Sequence, residues 1–398
     1  MIGRRELIKA LGLTAAFSGC PGLAFASRET EARFVLVVLR GAVDGLALAA
    51  PYGDGNYGRL RGELALPGPG QSQGLLKLDG LFGLHPSLAG LHGYYQDNEA
   101  IVIHAVASPY RERSHFDGQD ILENGAARVG ALRDGWLNRA LGSFDRSSNL
   151  AIALAQNTPL VLRGDNPATS WAPSSLPDAD DSTIARLQQL YADDEFFAPR
   201  LEQAMNSRDI ANSIGGMAKA KRRGNEAQQY SELMQSAARF LTAPDGPRIA
   251  VVELGGWDTH ANQGASNGAL ANRFAMLDAG LRNLRTGLGE TWKKTVIAIV
   301  TEFGRTVHVN GTRGTDHGTA TAAVLVGGAV KGGRVIADWP GLAPKDLYDG
   351  RDLQPTTDIR SVFKSVLGEH LEIPAESIEH EVFPDSRDAS PLHDLMII

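Results

Sequence analysis

The chain has 398 residues, with 39 lysines and arginines against 46 aspartates and glutamates, a formal net charge of −7 and a single cysteine. A mildly acidic balance without a basic cluster argues against nucleic acid as a partner, since the one basic knot, 219–223, reads as the solvated face of a helix. No segment after the N-terminus offers the long uncharged apolar run that a membrane span needs.

The first 26 residues read as an export signal. Arg4 and Arg5 form the pair of a twin-arginine motif, a weakly apolar stretch follows, and Ala24-Phe25-Ala26 suits signal peptidase, which would leave Ser27 as the first mature residue. Cys20 in Phe17-Ser18-Gly19-Cys20 is a poor lipidation site, so cleavage after Ala26 is the preferred reading, and the mature chain then holds no cysteine. Export by the twin-arginine translocase to the periplasm or beyond is the resulting expectation. Residues 27–398 are read as one large domain.

Residues 33–39 are a continuous apolar run and predict a strand buried on both faces. Asp44 lies one loop beyond it, as an Asp-Gly turn residue or as a metal-binding carboxylate at a strand end. Residues 51–83 read as loop, 87–98 as a short helix, and 100–107 as a second core strand carrying His104 as a satisfied core residue. His85 and His92 read as helix-end or surface residues. Beyond that strand stand Ser108, Arg111, Arg113, Ser114, His115 and Asp117. Ser114 is either an N-cap or a nucleophile with basic neighbours, because a helix start stabilises anions.

Residues 132–141 predict a helix, 150–154 and 160–162 short strands, and 165–181 loop. Helical periodicity over 182–241, poor in ligand-type residues, reads as an inserted cap at about 182–242, with Gly215-Gly216 as a break. Residues 249–254 and 295–301 then form two apolar runs that each end abruptly in ligand-type residues. The first ends in Asp258 and His260, which can turn toward one centre, and the second in Glu302 and Arg305. Residues 269–288 between them form an amphipathic helix, giving a strand, helix, strand unit. Asp316 and His317 sit between Gly314 and Gly318, where small residues let the backbone approach a ligand closely. Residues 322–328 are a last strand and 357–367 a closing helix. His308, His370, His380 and His393 read as surface residues.

Carboxylates and imidazoles gathered at strand ends are what an open α/β sheet offers to a ligand. A set of oxygens and nitrogens without thiolates suits zinc, manganese, calcium or magnesium without choosing among them.

The blocks at 35–46, 108–117, 255–260, 302–306 and 314–318 resemble, in order and over nearly the whole mature chain, those of the exported family labelled domain of unknown function 1501. That family is similar to the alkaline phosphatase and sulfatase superfamily. The resemblance implies a three-layer α/β sandwich with a mostly parallel central sheet, one or two divalent metal ions, and a Ser or metal-hydroxide nucleophile. It implies Asp44, Asp258, His260, Glu302, Asp316 and His317 as metal ligands, Ser114 as the nucleophile, and Arg113 or Arg305 steadying the oxygens of a phosphate or sulfate ester of a small molecule or polysaccharide. The Asp-to-His spacing is tighter than in phosphatases, and Glu302-Phe303 replaces the usual Asp-His pair. The competing reading is a secreted metal-binding or interaction protein, acting beside a co-exported partner, that keeps the fold without turnover.

Overall fold

The computed structural model describes residues 30–144, 150–173, 181–192 and 225–397, with scattered positions between 194 and 205. The N-terminal stretch read as an export signal, the glycine pair at 215–216 and the basic knot at 219–223 lie outside the described residues.

Twelve strands are described: β1 Arg33–Leu39, β2 Ala49–Ala50, β3 Leu76–Lys77, β4 Gly83–Leu84, β5 Ala100–Ala107, β6 Ala151–Leu154, β7 Thr169–Ser170, β8 Ile249–Leu254, β9 Thr295–Val300, β10 Thr321–Val326, β11 Arg334–Ile336 and β12 Thr357–Asp358. The main sheet runs β11-β5-β10-β9-β1-β8-β6-β7, with β12 paired to β5 beyond that path. β1 lies parallel to both β8 and β9, with Phe34 opposite Ile249 and Val296. β10 is antiparallel to β5 and β9. The carboxyl ends of β5, β9, β1 and β8 therefore share one edge of the sheet with the amino end of β10.

Both faces of the sheet are covered, which explains why β1 reads as an unbroken apolar run and not as an alternating one. Val35, Val37 and Leu39 pack on one side with the helices Ala269–Leu288 and Glu226–Thr242, the latter through Met234, Ala237, Phe240 and Leu241. Phe34, Leu36 and Val38 pack on the other with Trp136, Leu137 and the helix Ile359–Ser365. The result is a three-layer α/β sandwich with a mostly parallel centre.

Several boundaries differ from the sequence reading. Glu226–Thr242, expected within a cap, is a layer of the sandwich: its capping box at Asn225 fixes its start, and its apolar stripe is buried against the sheet. Residues 160–162 form a turn of 3-10 helix instead of a strand, and the helix expected from 132 begins at Trp136. His85 is fully buried, bonded to the Ala265 carbonyl at 3.0 Å and accepting from Ser87 N at 3.1 Å. His370 bonds the Arg33 carbonyl at 2.8 Å. No helix among the described residues is long and apolar enough to cross a membrane.

Candidate metal centre

Five loops meet at the shared edge, and backbone hydrogen bonds stitch three of them together. Thr306 N donates to Asp316 O at 2.9 Å, Gly318 N to Gly304 O at 2.8 Å, and Thr315 N to Thr259 O at 3.2 Å. The glycines around Asp316-His317 serve this stitching. A Cβ on Gly314 would stand 2.3 Å from His260 O, and one on Gly318 2.4 Å from the Arg305 carbonyl carbon, so each side must lack a side chain. Their close approach is to the neighbouring loops, not to a ligand.

The loops bring four side chains to one point. His115, Asp258 and His317 each present a ligand atom, all within 4.8 Å of one another. His260 closes the other side, its Nε2 lying 3.0 Å from Asp258 Oδ1 and 2.9 Å from His317 Nε2. Each imidazole is held from behind by an acceptor at Nδ1. These are Glu302 Oε1 for His115 at 2.8 Å, Asp316 Oδ1 for His260 at 3.3 Å, and the Arg113 carbonyl for His317 at 2.9 Å. With the proton on Nδ1 toward that acceptor, Nε2 is left as a lone pair, the arrangement that metal-ligating histidines use.

The consequence is electrostatic. Two Nε2 lone pairs 2.9 Å apart repel each other unless a cation or a proton stands between them. His115 Nε2 is buried without a hydrogen-bond partner, 3.5 Å from Asp258 Oδ2. An unpartnered buried nitrogen facing a carboxylate oxygen calls for a positive charge between them, a cation or a proton. Three neutral imidazoles and one carboxylate are a borderline donor set, which suits zinc or another divalent first-row ion.

The surrounding groups hold the charges in place. Burial would raise the carboxyl of Asp258, but the hydrogen bond and charge of Arg305, with His260 and His317 beside it, keep it below the usual carboxylate range. Glu302 is buried, yet its bonds to His115, Gln119 and Thr301 outweigh burial and hold it low. Its partner His115 is raised above the ordinary imidazole value, chiefly by that same hydrogen bond. Burial lowers His317. Asp316 is lowered first by the Asn310 amide and then by His260. Phe303, standing where a histidine would be usual, packs its ring 5.0 Å from that of His115 and 5.3 Å from that of His317, forming an apolar wall.

The remaining sequence candidates have other partners. Asp44 is buried, accepts from Leu46 N and Ala47 N as a helix cap, pairs with the buried Arg61, and accepts from Gln263 Nε2 at 2.6 Å. It sits behind the centre in a polar chain that continues from Gln263 Oε1 through Thr315 to Arg305. Glu302 and Asp316 contact the histidines at Nδ1 and so orient them. Arg305 is buried and donates to Asp258 Oδ1 at 2.7 Å and to the Thr315 carbonyl at 2.7 Å, so it holds Asp258 and faces no open space. Arg113 pairs with Asp352 at 2.8 Å and with Asp349 at 3.1 Å. Ser114 begins the helix His115–Asn124 without making a side-chain cap, its backbone N–H donating to the Tyr110 hydroxyl at 3.1 Å. The ligand-type group that this segment brings to the cluster is the imidazole of His115, next to Ser114. In the sequence His115 is visible only as an imidazole beside Ser114, just beyond a core strand.

A family model described as a protein of unknown function (DUF1501) matches residues 82–382, more than half of the chain. The chain belongs to the DUF1501 family. No curated protein matches it in sequence. Similar solved structures include the phosphonate monoester hydrolase of Silicibacter pomeroyi, at 9% identity and TM-score 0.42 over 91% of this chain and 76% of that one. A protein in the alkaline phosphatase superfamily from Vibrio parahaemolyticus aligns at 10% identity and TM-score 0.40 over 87% and 67%. The phosphonate monoester hydrolase of Agrobacterium radiobacter aligns at 11% identity and TM-score 0.39 over 85% and 73%. This DUF1501 chain thus adds to these broad likenesses a cluster of three histidines and an aspartate at the carboxyl edge of its sheet.

Proposed function

We propose that this DUF1501 protein is an exported, metal-dependent hydrolase of phosphate or sulfate esters, delivered to the periplasm or beyond by the twin-arginine route and cleaved after Ala26. The observation that carries the metal is the convergence of the Nε2 atoms of His115, His260 and His317 on Asp258, with each Nδ1 held by an acceptor behind it. The ester class is supported by membership of the DUF1501 family, which resembles the alkaline phosphatase and sulfatase superfamily.

His115, His260, His317 and Asp258 would hold the ion. When bound, a divalent ion lowers the pKa of a water or hydroxyl and neutralises charge on the oxygens of a phosphoryl or sulfuryl group. Because Asp44 is already neutralised by Arg61 and lies behind the centre, the reading favours one ion per chain. Asp258, part-exposed and kept ionised by Arg305, faces solvent and can accept a hydrogen bond from an attacking water. Glu302 keeps His115 turned inward throughout. Attack is assigned to water, with Asp258 as its acceptor and the Ser114 hydroxyl as the alternative nucleophile.

The experiment is a panel of phosphate and sulfate esters offered to metal-loaded wild type and to Asp258→Ala. Turnover by the wild type that the variant loses supports the hydrolase. A wild type that carries metal and turns over nothing supports the secreted metal-binding protein instead.

A further inference from the structure

The carbonyl that orients His317 belongs to Arg113, whose φ is +64°, a left-handed conformation disfavoured for a residue with a side chain. Something must hold it there. The guanidinium is gripped by Asp352, fully buried, through Nε to Oδ2 at 2.9 Å and Nη2 to Oδ2 at 2.8 Å, with Asp349 on its outer side at 3.1 Å. The neighbouring Arg351 donates to the backbone carbonyl of His317 itself. Asp352 is in turn fixed by a backbone bridge to Thr306, whose neighbour Arg305 forms the bridge to His317. One turn thus grips His317 from two directions, and neither of its arginines is free for substrate.

We propose that Asp352 is a positioning residue for the metal centre. By holding Arg113 in its left-handed conformation, it aims the Arg113 carbonyl at His317 Nδ1 and so keeps the His317 Nε2 lone pair turned toward Asp258 and His260. The proposal rests on the metal reading for its consequence, but not for its geometry. Released from Asp352, Arg113 relaxes out of the left-handed region, the carbonyl swings away, and the His317 proton is no longer fixed on Nδ1.

Two readouts on the full chain separate the proposal from the metal reading. The first is the tautomer of His317, read from its ¹⁵N ring shifts in metal-free protein. Wild type should show Nε2 unprotonated at neutral pH, and Asp352→Asn a mixture of tautomers. The second is zinc affinity by chelator competition, which should fall on the order of 10- to 100-fold in Asp352→Asn, as for other partners standing behind metal ligands. Adding Arg113→Gly to that variant should bring both readouts back toward wild type, because glycine adopts a left-handed backbone without penalty while keeping the carbonyl. An unchanged tautomer in Asp352→Asn overturns the proposal, as does a double variant no better than the single one or a loss confined to melting temperature. A wild type with the expected tautomer and no zinc binding would leave the positioning intact and sink the metal reading alone.

Discussion

Glu302→Gln isolates the charge behind His115 with almost no change of shape. The carboxylate accepts at Oε1 from Gly41 N at 2.8 Å, His115 Nδ1 at 2.8 Å and Gln119 Nε2 at 3.2 Å, and at Oε2 it lies 2.8 Å from Thr301 Oγ1. A glutamine can keep its oxygen toward the first three and turn its amide toward Thr301, whose hydroxyl already donates to the Leu39 carbonyl at 2.6 Å and can accept in return. What is lost is the ionic character of the bond to His115. A charge-assisted bond contributes about 1–2 kcal/mol more than a neutral one, so urea unfolding should show a loss of that order at pH 7. Because Glu302 also makes His115 the better ligand, zinc affinity should fall roughly 10- to 100-fold while the secondary structure by circular dichroism stays unchanged. A variant as stable as wild type with the same zinc affinity would refute the idea that this carboxylate tunes the centre.

Three further outcomes follow from the same geometry. Burial holds His104 and His85 at about 4 instead of their ordinary 6.5, so the unfolded chain takes up their protons first and the folded state loses stability as pH falls from 6.5 toward 4, by about 3 kcal/mol for each group once pH reaches the folded value. Urea midpoints across that window should decline less steeply in His104→Gln than in wild type, and parallel slopes would show that His104 titrates normally. Gly318→Ala should cost about 1–3 kcal/mol and displace Arg305 and His317 together, seen as a lower melting temperature with weakened zinc binding, because the added methyl meets backbone that cannot move cheaply. Ser114→Ala should retain most ester turnover and metal while His115→Ala loses both; the reverse order would return the nucleophile to Ser114.

Much of the sheet was legible because β1, β8 and β9 are β-branched runs buried on both faces, and such runs have few alternatives. Asp258 and His260 stood out as polar residues in the glycine-containing loop directly beyond β8, and His317 as an imidazole between glycines just ahead of β10. His115 was harder, since Ser114 and His115 are adjacent and only the phase at which the helix starts decides which of them turns inward. The pairing of Asp44 with Arg61 was invisible for another reason. It joins a strand end to a short helix across a loop, and no local spacing encodes such a contact. Asp352 lies in a segment with no periodic signal, and its role exists only where the turn meets the left-handed Arg113. The helix Glu226–Thr242 showed its amphipathic stripe in sequence, but a stripe does not say whether it covers a sheet or stands as a cap.

Metal content of the purified chain, measured by mass spectrometry after zinc loading and extensive dialysis, tests the centre most directly. The account predicts about one ion per wild-type chain and none retained by folded His317→Ala. A wild type that emerges without metal, or a His317→Ala variant that keeps as much as wild type, would contradict it.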